Sequence, residues 1–257
     1  MNQALAVDGY TRLSFSLDEG IASRAAIGLV VLATDHTIEY EWRKMLAMDG
    51  VAFYESRLLN SADISPETLI EMKGRIASAV ALIRPGERLD VVAFGCTSAS
   101  MVIGEEQVFE RIREVRPGVQ CTTPITAGRI AFNTLGVKRI GLLTPYMRRI
   151  NESMATYLGA RGIEVVAMAS FEHPDDNEVA RIDEASLRRG VLELGRKADV
   201  DAVFVSCTSL RIAEIVADIE AQLGKPVTSS NHALAWHALR LAGVDDERPE
   251  LGRLFTV

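Results

Sequence analysis

The chain has 257 residues, 48% hydrophobic and 25% charged, the balance of an ordinary folded protein with length enough to bury a core. Its 35 acidic against 28 basic residues leave a formal charge of −7 without a basic stripe, which argues against a nucleic-acid partner and leaves any anionic ligand to local donors. Residues 1–20 show no basic stretch followed by an apolar one, no run reaches the roughly 18–20 apolar residues that span a bilayer, and the three cysteines suggest no disulfide framework, so a cytoplasmic protein with reduced thiols is expected.

Residues 26–34 (AIGLVVLAT) have the character of a buried strand, 38–48 of a helix and 51–58 of a second strand. Ser65-Pro66-Glu67 opens a helix, with Ser as cap and Pro at the first helical position; it runs toward Ile83, and Arg84-Pro85-Gly86 ends it. Residues 90–95 (DVVAFG) form a strand, and a helix from Ser98 ends near Arg116-Pro117-Gly118. The order then recurs. A strand at 139–144 precedes a helix at 147–161, and a strand at 163–171 precedes a helix at 182–197. A strand at 201–206 (DAVFVS) leads to a helix at 209–223, stopped by Gly224-Lys225-Pro226; a last helix runs from about 232 to 242. Strands alternating with helices predict an α/β protein with mostly parallel sheets, and their continuous apolar character says both sheet faces are covered.

An internal repeat sharpens this. Ile27-Gly28-Leu29 matches Ile140-Gly141-Leu142, 113 positions on. The run DVVAFGCTS from Asp90 matches DAVFVSCTS from Asp201, 111 positions on. Two landmarks at nearly one offset argue for two copies of one βαβαβ unit. The expected architecture is two pseudo-symmetric Rossmann-like lobes with the active site in the cleft between them. The division falls near 122–127: residues 1–125 form a first lobe, completed by the C-terminal helix within 232–257, and 126–231 form a second.

Both repeats end in Cys-Thr-Ser, at Cys96 and Cys207. In open parallel sheets, ligands bind beyond the carboxyl ends of the strands, where these residues stand. Each tripeptide is expected to precede a helix. The free N–H groups there, with the hydroxyls of Thr97, Ser98, Thr208 and Ser209, could hold a carboxylate, or the hydroxyls could simply cap the helices. The same field is expected to favour thiolate near neutral pH. Two thiols facing each other across a cleft suit chemistry at a carbon next to a carboxylate, one as base or nucleophile and the other as proton donor. Cys121 has no such setting and reads as structural. The cysteines lack metal-ligand spacing, and His36, His173, His232 and His237 form no constellation with them, so no metal is predicted. No dinucleotide or P-loop motif implies a nucleotide cofactor.

With both tripeptides in place, the chain resembles the aspartate/glutamate racemase superfamily, most of all its maleate cis-trans isomerase and arylmalonate decarboxylase branch. The resemblance rests on GCTSAS around Cys96, SCTSLR around Cys207 and LLTPY ending at Tyr146, and spans about Ala26 to Ala242. It implies two α/β lobes enclosing a small dicarboxylate, with no metal or organic cofactor. For an isomerase it implies Cys96 as nucleophile on the double bond and Cys207 as proton donor, with rotation about the single bond of the covalent adduct. Its decarboxylases keep only the second cysteine, so the pair favours isomerisation or racemisation. The resemblance also implies substrate contacts for Tyr146 and for Asn177, with a one-residue gap deciding between Asn177 and Asp176.

The first loop departs from the pattern. The isomerases carry a Pro-Ser-Ser-Asn-Thr type loop, whereas this chain has Leu32-Ala33-Thr34-Asp35-His36-Thr37. Asp35 stands where they place a carboxylate-binding Asn. Two facing carboxylates repel unless one is protonated or the substrate is cationic. Asp35 is therefore read as a contact for a cationic group or as the cap of the helix beginning near Thr37. Ectoine-utilisation proteins of this branch, with nitrogen-bearing substrates, are one such possibility. The leading expectation is a cofactor-independent isomerase of a small carboxylic acid, assembled as a homo-oligomer (dimer or tetramer). Its alternatives are an Asp/Glu-type racemase, an arylmalonate-type decarboxylase using Cys207, and a non-catalytic binding protein for a small carboxylate.

Overall fold

The computed structural model describes residues 12–257, so the first eleven residues of the stretch read as free of a leader lie outside the described residues. Strand β1 (Ala25–Leu32) is followed by α1 (Ile38–Met45), β2 (Val51–Leu58), α2 (Pro66–Glu71) and α3 (Ile76–Ala81). Then come β3 (Val91–Gly95), α4 (Thr97–Ile103), α5 (Glu105–Arg113), β4 (Gln120–Thr122) and α6 (Pro124–Thr134). The second series is β5 (Arg139–Thr144), α7 (Arg148–Gly159), β6 (Glu164–Ser170), α8 (Asp176–Val179) and α9 (Glu184–Gly195), followed by β7 (Ala202–Val205), α10 (Val216–Leu223), β8 (Val227–Ser229) and α11 (Ser230–Leu241).

The strands form two parallel sheets of identical order, β2-β1-β3-β4 and β6-β5-β7-β8. The α/β class and the two pseudo-symmetric lobes expected from the repeat are therefore present. The registers agree as well: Ile27 pairs with Val91 in one sheet as Ile140 pairs with Ala202 in the other. Strands β1, β3 and β7 are buried along their whole length, as their unbroken apolar runs require. No helix among the described residues is long and apolar enough to cross a membrane.

Three helices depart from expectation. The helix read from Ser65 does start with a Ser65–Thr68 capping box and Pro66, but a 3-10 turn at Met72–Arg75 divides it into α2 and α3. The helix read from Ser98 breaks at Gly104, whose φ of +95° no helix accommodates. The helix read from Ser209 begins only at Val216, after a short 3-10 turn at Ala213–Ile215. Here tertiary bonds take the groups that a helix would use. The Thr208 carbonyl accepts from Asn231 Nδ2 at 2.7 Å, the Ser209 carbonyl from the Thr37 hydroxyl at 3.0 Å, and the Ala213 amide donates to Glu41 Oε1 at 2.7 Å.

The lobes are joined by exchanged helices. Helix α6 leaves the first sheet, yet its Phe132 meets Phe204 of β7 edge to face, with ring centroids 5.6 Å apart. A side chain at Gly128 would meet the same ring at 3.1 Å. Helix α11 leaves the second sheet, yet its Leu234, Trp236 and Leu239 join the core of Ile27, Leu29, Val91 and Ala93. Each buried His of α11 ties to a strand end, His237 Nδ1 to the Thr122 hydroxyl at 2.8 Å and His232 Nδ1 to the Thr228 hydroxyl at 3.0 Å.

Two stability predictions follow from this packing. A Cβ on Gly95 would lie 2.9 Å from the Val30 carbonyl oxygen and 3.0 Å from Ile38 Cδ1. The oxygen belongs to the neighbouring strand and cannot yield cheaply, so Gly95→Ala should cost about 1–3 kcal/mol in urea unfolding. The second concerns Glu41, which accepts from Ala213 and, through Oε2 at 2.7 Å, from Asn231. Burial pushes its carboxyl up to about 7 from 4.5, against the pull of these donors. Between those pH values the folded state holds a proton that the unfolded chain has lost. The Glu41 contribution is thus most favourable below pH 4.5 and is lost as pH rises toward 7. The stability of wild type relative to Glu41→Gln should fall by about 2–4 kcal/mol across this window, measured by urea unfolding at several pH values.

Candidate functional site

Cys96 and Cys207 follow β3 and β7, the pseudo-equivalent central strands, and line one cavity at the carboxyl ends of the two sheets. It encloses about 400 Å³, its mouth included, and Thr97, Ser98, Tyr146, Asp176 and Thr208 share the lining. The segment after β2 covers it with Asn60, Ser61, Asp63 and Ile64, and with Thr68, Leu69 and Met72 behind them. That segment meets the pseudo-equivalent loop after β6. Asp63 and Asp175 form an antiparallel bridge, Ile64 N donates to the Pro174 carbonyl at 3.3 Å, and Asp176 N donates to the Ala62 carbonyl at 3.2 Å.

The two tripeptides are held differently. Cys96 is the cap residue of α4 in extended conformation, and its sulfur lies 3.8 Å from Ser98 Oγ. Cys207 has φ of +153°, rare for a residue with a side chain, and a turn follows it rather than a helix. Its amide donates to Ser230 Oγ at 3.1 Å, and the same hydroxyl shares a 2.7 Å bond with Thr97 Oγ1. Ser230, first residue of α11, thus bridges the two motifs. Tyr146 is 2% exposed, with its backbone fixed by Thr144, Asn151 and Ser170.

The expectation of ready thiolate is corrected. Burial pushes the Cys96 thiol up to about 12, outweighing the Ala99 amide and the Ser98 hydroxyl that favour its thiolate. Burial and then the Asp176 carboxylate push Cys207 further up, against the Ser209 amide and the Tyr146 hydroxyl. Burial and the neighbouring thiols raise the Tyr146 phenol in turn. At neutral pH both cysteines are thiols, and a full helix N-terminus serves neither: α4 is two turns long, and none follows Cys207.

The remaining predicted residues fall around this centre. Asp35 is buried outside the lining and caps α1, its Oδ1 accepting from the Thr37 and Ile38 amides at 2.7 and 2.8 Å; its Oδ2 has no partner. Ser209 is also behind the cavity wall, its hydroxyl donating to Asp176 Oδ1 at 2.8 Å. Asn177 is half-buried and bonds to His36 Nε2 at 2.9 Å, outside the lining. Asp176 takes the place in the wall, with Oδ2 accepting from the Thr34 hydroxyl at 2.5 Å, and burial raises its carboxyl. Cys121 lies in β4, away from the cavity. Sequence reasoning missed Ser230 and the covering segment 60–72. No motif marks either, although the Ser229-Ser230 pair opening a helix was a visible capping signal.

Comparison with known proteins agrees with this geometry. A model of the arylmalonate decarboxylase family matches residues 27–255. The maleate isomerase of Alcaligenes faecalis is 28% identical over 247 residues, covering 90% of this chain and 96% of its own. The arylmalonate decarboxylase of Bordetella bronchiseptica is 35% identical over 140 residues, 54% of this chain and 58% of its own. Among solved structures, the maleate isomerase Iso of Pseudomonas putida S16 matches with a TM-score of 0.81 at 26% identity, covering 90% of this chain and 98% of that one. A cysteine-to-serine mutant of the Nocardia farcinica maleate cis-trans isomerase, with a covalently bound succinylcysteine intermediate, matches with a TM-score of 0.80 at 27% identity and the same coverage. With the family's model matched from the first strand to the last residues of the chain, the protein belongs to the arylmalonate decarboxylase family.

Proposed function

We propose that the protein is a cofactor-independent cis-trans isomerase of a small carboxylic acid of the maleate kind, worked by Cys96 and Cys207. The observation that carries this reading is the pair of buried thiols at the ends of pseudo-equivalent strands, lining one cavity with Tyr146. The covalent succinylcysteine in the Nocardia farcinica relative supports a cysteine adduct as intermediate. A protein that only bound its ligand would need neither thiol.

In this mechanism Cys96 gives up its proton to water while the site is open, and the thiolate adds to one alkene carbon. The alkene electrons move toward the carboxylate beyond the other carbon, forming an enediolate. Cys207 then protonates that carbon. The former double bond is now single and rotates. Cys207 takes the proton back, the C–S bond breaks, and the trans product leaves. The unequal environments suit unequal roles: the Ser98 hydroxyl beside the Cys96 sulfur favours its thiolate, whereas the Asp176 carboxylate opposes thiolate at Cys207. Thr97, Ser98, Thr208 and Tyr146 would contact substrate from the wall; Asp35, Ser209 and Asn177 would support that wall from behind.

The same reading divides the chain into a first lobe of 1–125 completed by 232–257 and a second of 126–231. The crossing of α11 onto the first sheet supports it. A homo-oligomer is part of it too, supported by the exposed apolar side chains of Leu13, Phe15 and Leu17, close together in one segment. The three free cysteines fit a cytoplasmic setting.

Cys96→Ala and Cys207→Ala should each abolish turnover of maleate, followed by NMR, with folding intact by circular dichroism. Full activity in either variant rejects the two-thiol mechanism. Carbon dioxide released from an arylmalonate, tolerant of Cys96→Ala but not of Cys207→Ala, would instead identify a decarboxylase. Ser230→Ala removes the bridge between the motifs without touching a reacting atom. It should lower kcat/KM about 10–100-fold with a modest loss of stability, checked by steady-state kinetics and urea unfolding on the same sample.

A further inference from the structure

The cavity is electrostatically ill suited to a dianion. Among the described residues, none of the side chains lining it is cationic, whereas the Asp176 carboxylate lines it at 5% exposure. The Ser209 and Thr34 hydroxyls each donate to one Asp176 oxygen, at 2.8 and 2.5 Å. They fix the carboxylate without neutralising it. Asp35 adds a second buried carboxyl, with one oxygen on two amides and the other without a partner. Asp63, exposed on the covering segment, adds a further carboxyl to the lining. His36, the cationic candidate on this loop, bonds to Asn177 and does not reach the lining.

An ionised carboxylate offers only acceptors. A ligand group beside Asp176 must therefore supply a donor, since a second carboxylate there would meet repulsion in a medium that screens it poorly. The Thr97, Ser98 and Thr208 hydroxyls, with Tyr146, can serve one ligand carboxylate. On the Asp176 side, Asn60 Nδ2 is already spent on the Thr34 hydroxyl and the Ser61 carbonyl, so the covering segment offers the Ser61 hydroxyl rather than a second full set of donors.

We propose, resting on the isomerase reading above, that Asp176 is a specificity-determining residue. It selects a cis-enoic acid with one carboxylate and a nitrogen donor at the other end, an amide or an ammonium, over the plain diacid. The chemistry balances as before: Cys96 adds to the alkene, Cys207 protonates the adjacent carbon and later recovers the proton, and nothing is oxidised or reduced.

The test compares maleic monoamide, cis-4-aminocrotonate and maleate as substrates of the full chain at neutral pH, with turnover read by NMR. Calorimetry measures the affinities of the saturated analogues succinic monoamide, 4-aminobutyrate and succinate. Wild type should turn over one nitrogen-bearing substrate with kcat/KM at least roughly tenfold above maleate, and whichever wins separates amide from ammonium. Asp176→Asn, which puts an N–H where a carboxylate could use it, should shift this ratio toward maleate by at least roughly tenfold. A wild-type preference for maleate, or a ratio unmoved in folded Asp176→Asn, overturns the proposal. Should no compound be turned over, the isomerase reading falls on its own, and the affinities decide the rest. Tighter binding of a nitrogen-bearing analogue than of succinate upholds the role of Asp176; equal affinities, or no binding, reject it. The wild-type affinities keep the test decisive if Asp176→Asn does not fold.

Discussion

The hydroxyl of Ser230 is the point on which the site depends. It accepts from the Cys207 amide and shares a bond with Thr97, so it ties the second motif to the first. Ser230 begins α11, and α11 is packed into the core of the first sheet. The geometry of a residue in the second lobe is therefore fixed by a helix seated on the first. Helix α6 makes the reciprocal commitment through Phe132 and Phe204. Each sheet is thus covered in part by the helix that leaves the other.

Symmetry places the two thiols, and local differences then give them different work. Gly95 before Cys96 leaves room for the Val30 carbonyl, and Cys96 opens directly into α4 with Ser98 beside its sulfur. Ser206 stands before Cys207, whose following turn is held open by Asn231, Thr37 and Glu41. Burial raises both thiols, but only for Cys207 is the Asp176 carboxylate the second-largest influence. A pair made equal by duplication thus meets unequal surroundings, with Ser98 favouring thiolate at Cys96 and Asp176 opposing it at Cys207. The same burial that opposes thiolate strengthens each hydrogen bond made to a substrate inside the cavity.

Much of this was legible in the sequence, for identifiable reasons. The central strands are unbroken apolar runs, and the repeat is exposed by two rare tripeptides at one offset, so the lobes, their order and the placement of both cysteines at strand ends could be read directly. What escaped depends on contacts distant in sequence. Strand β8 is three residues long, too short for any period to show. The expected helix after Cys207 is well formed in pattern, but Asn231, Thr37 and Glu41 claim its backbone groups from other elements. The choice between Asp176 and Asn177 is a matter of one residue in a short helix. It is decided by the bridge between the loops after β2 and β6, which no local pattern encodes.

That bridge also sets how the cavity can admit a ligand. The lobes behind it share a continuous core through α6 and α11 and a fully buried polar seam at Glu41 and Asn231. The loops in front meet through a few backbone contacts, at Asp63, Ile64 and Asp175–Asp176. Separating the lobes would expose apolar core and strand buried polar groups, whereas parting the loops breaks bonds that water can replace at once. The less costly opening is at the loops. Asp176 stands at that junction, its amide in the closure and its carboxylate in the wall. The junction between the loops and the charge that a bound ligand would meet therefore rest on one residue.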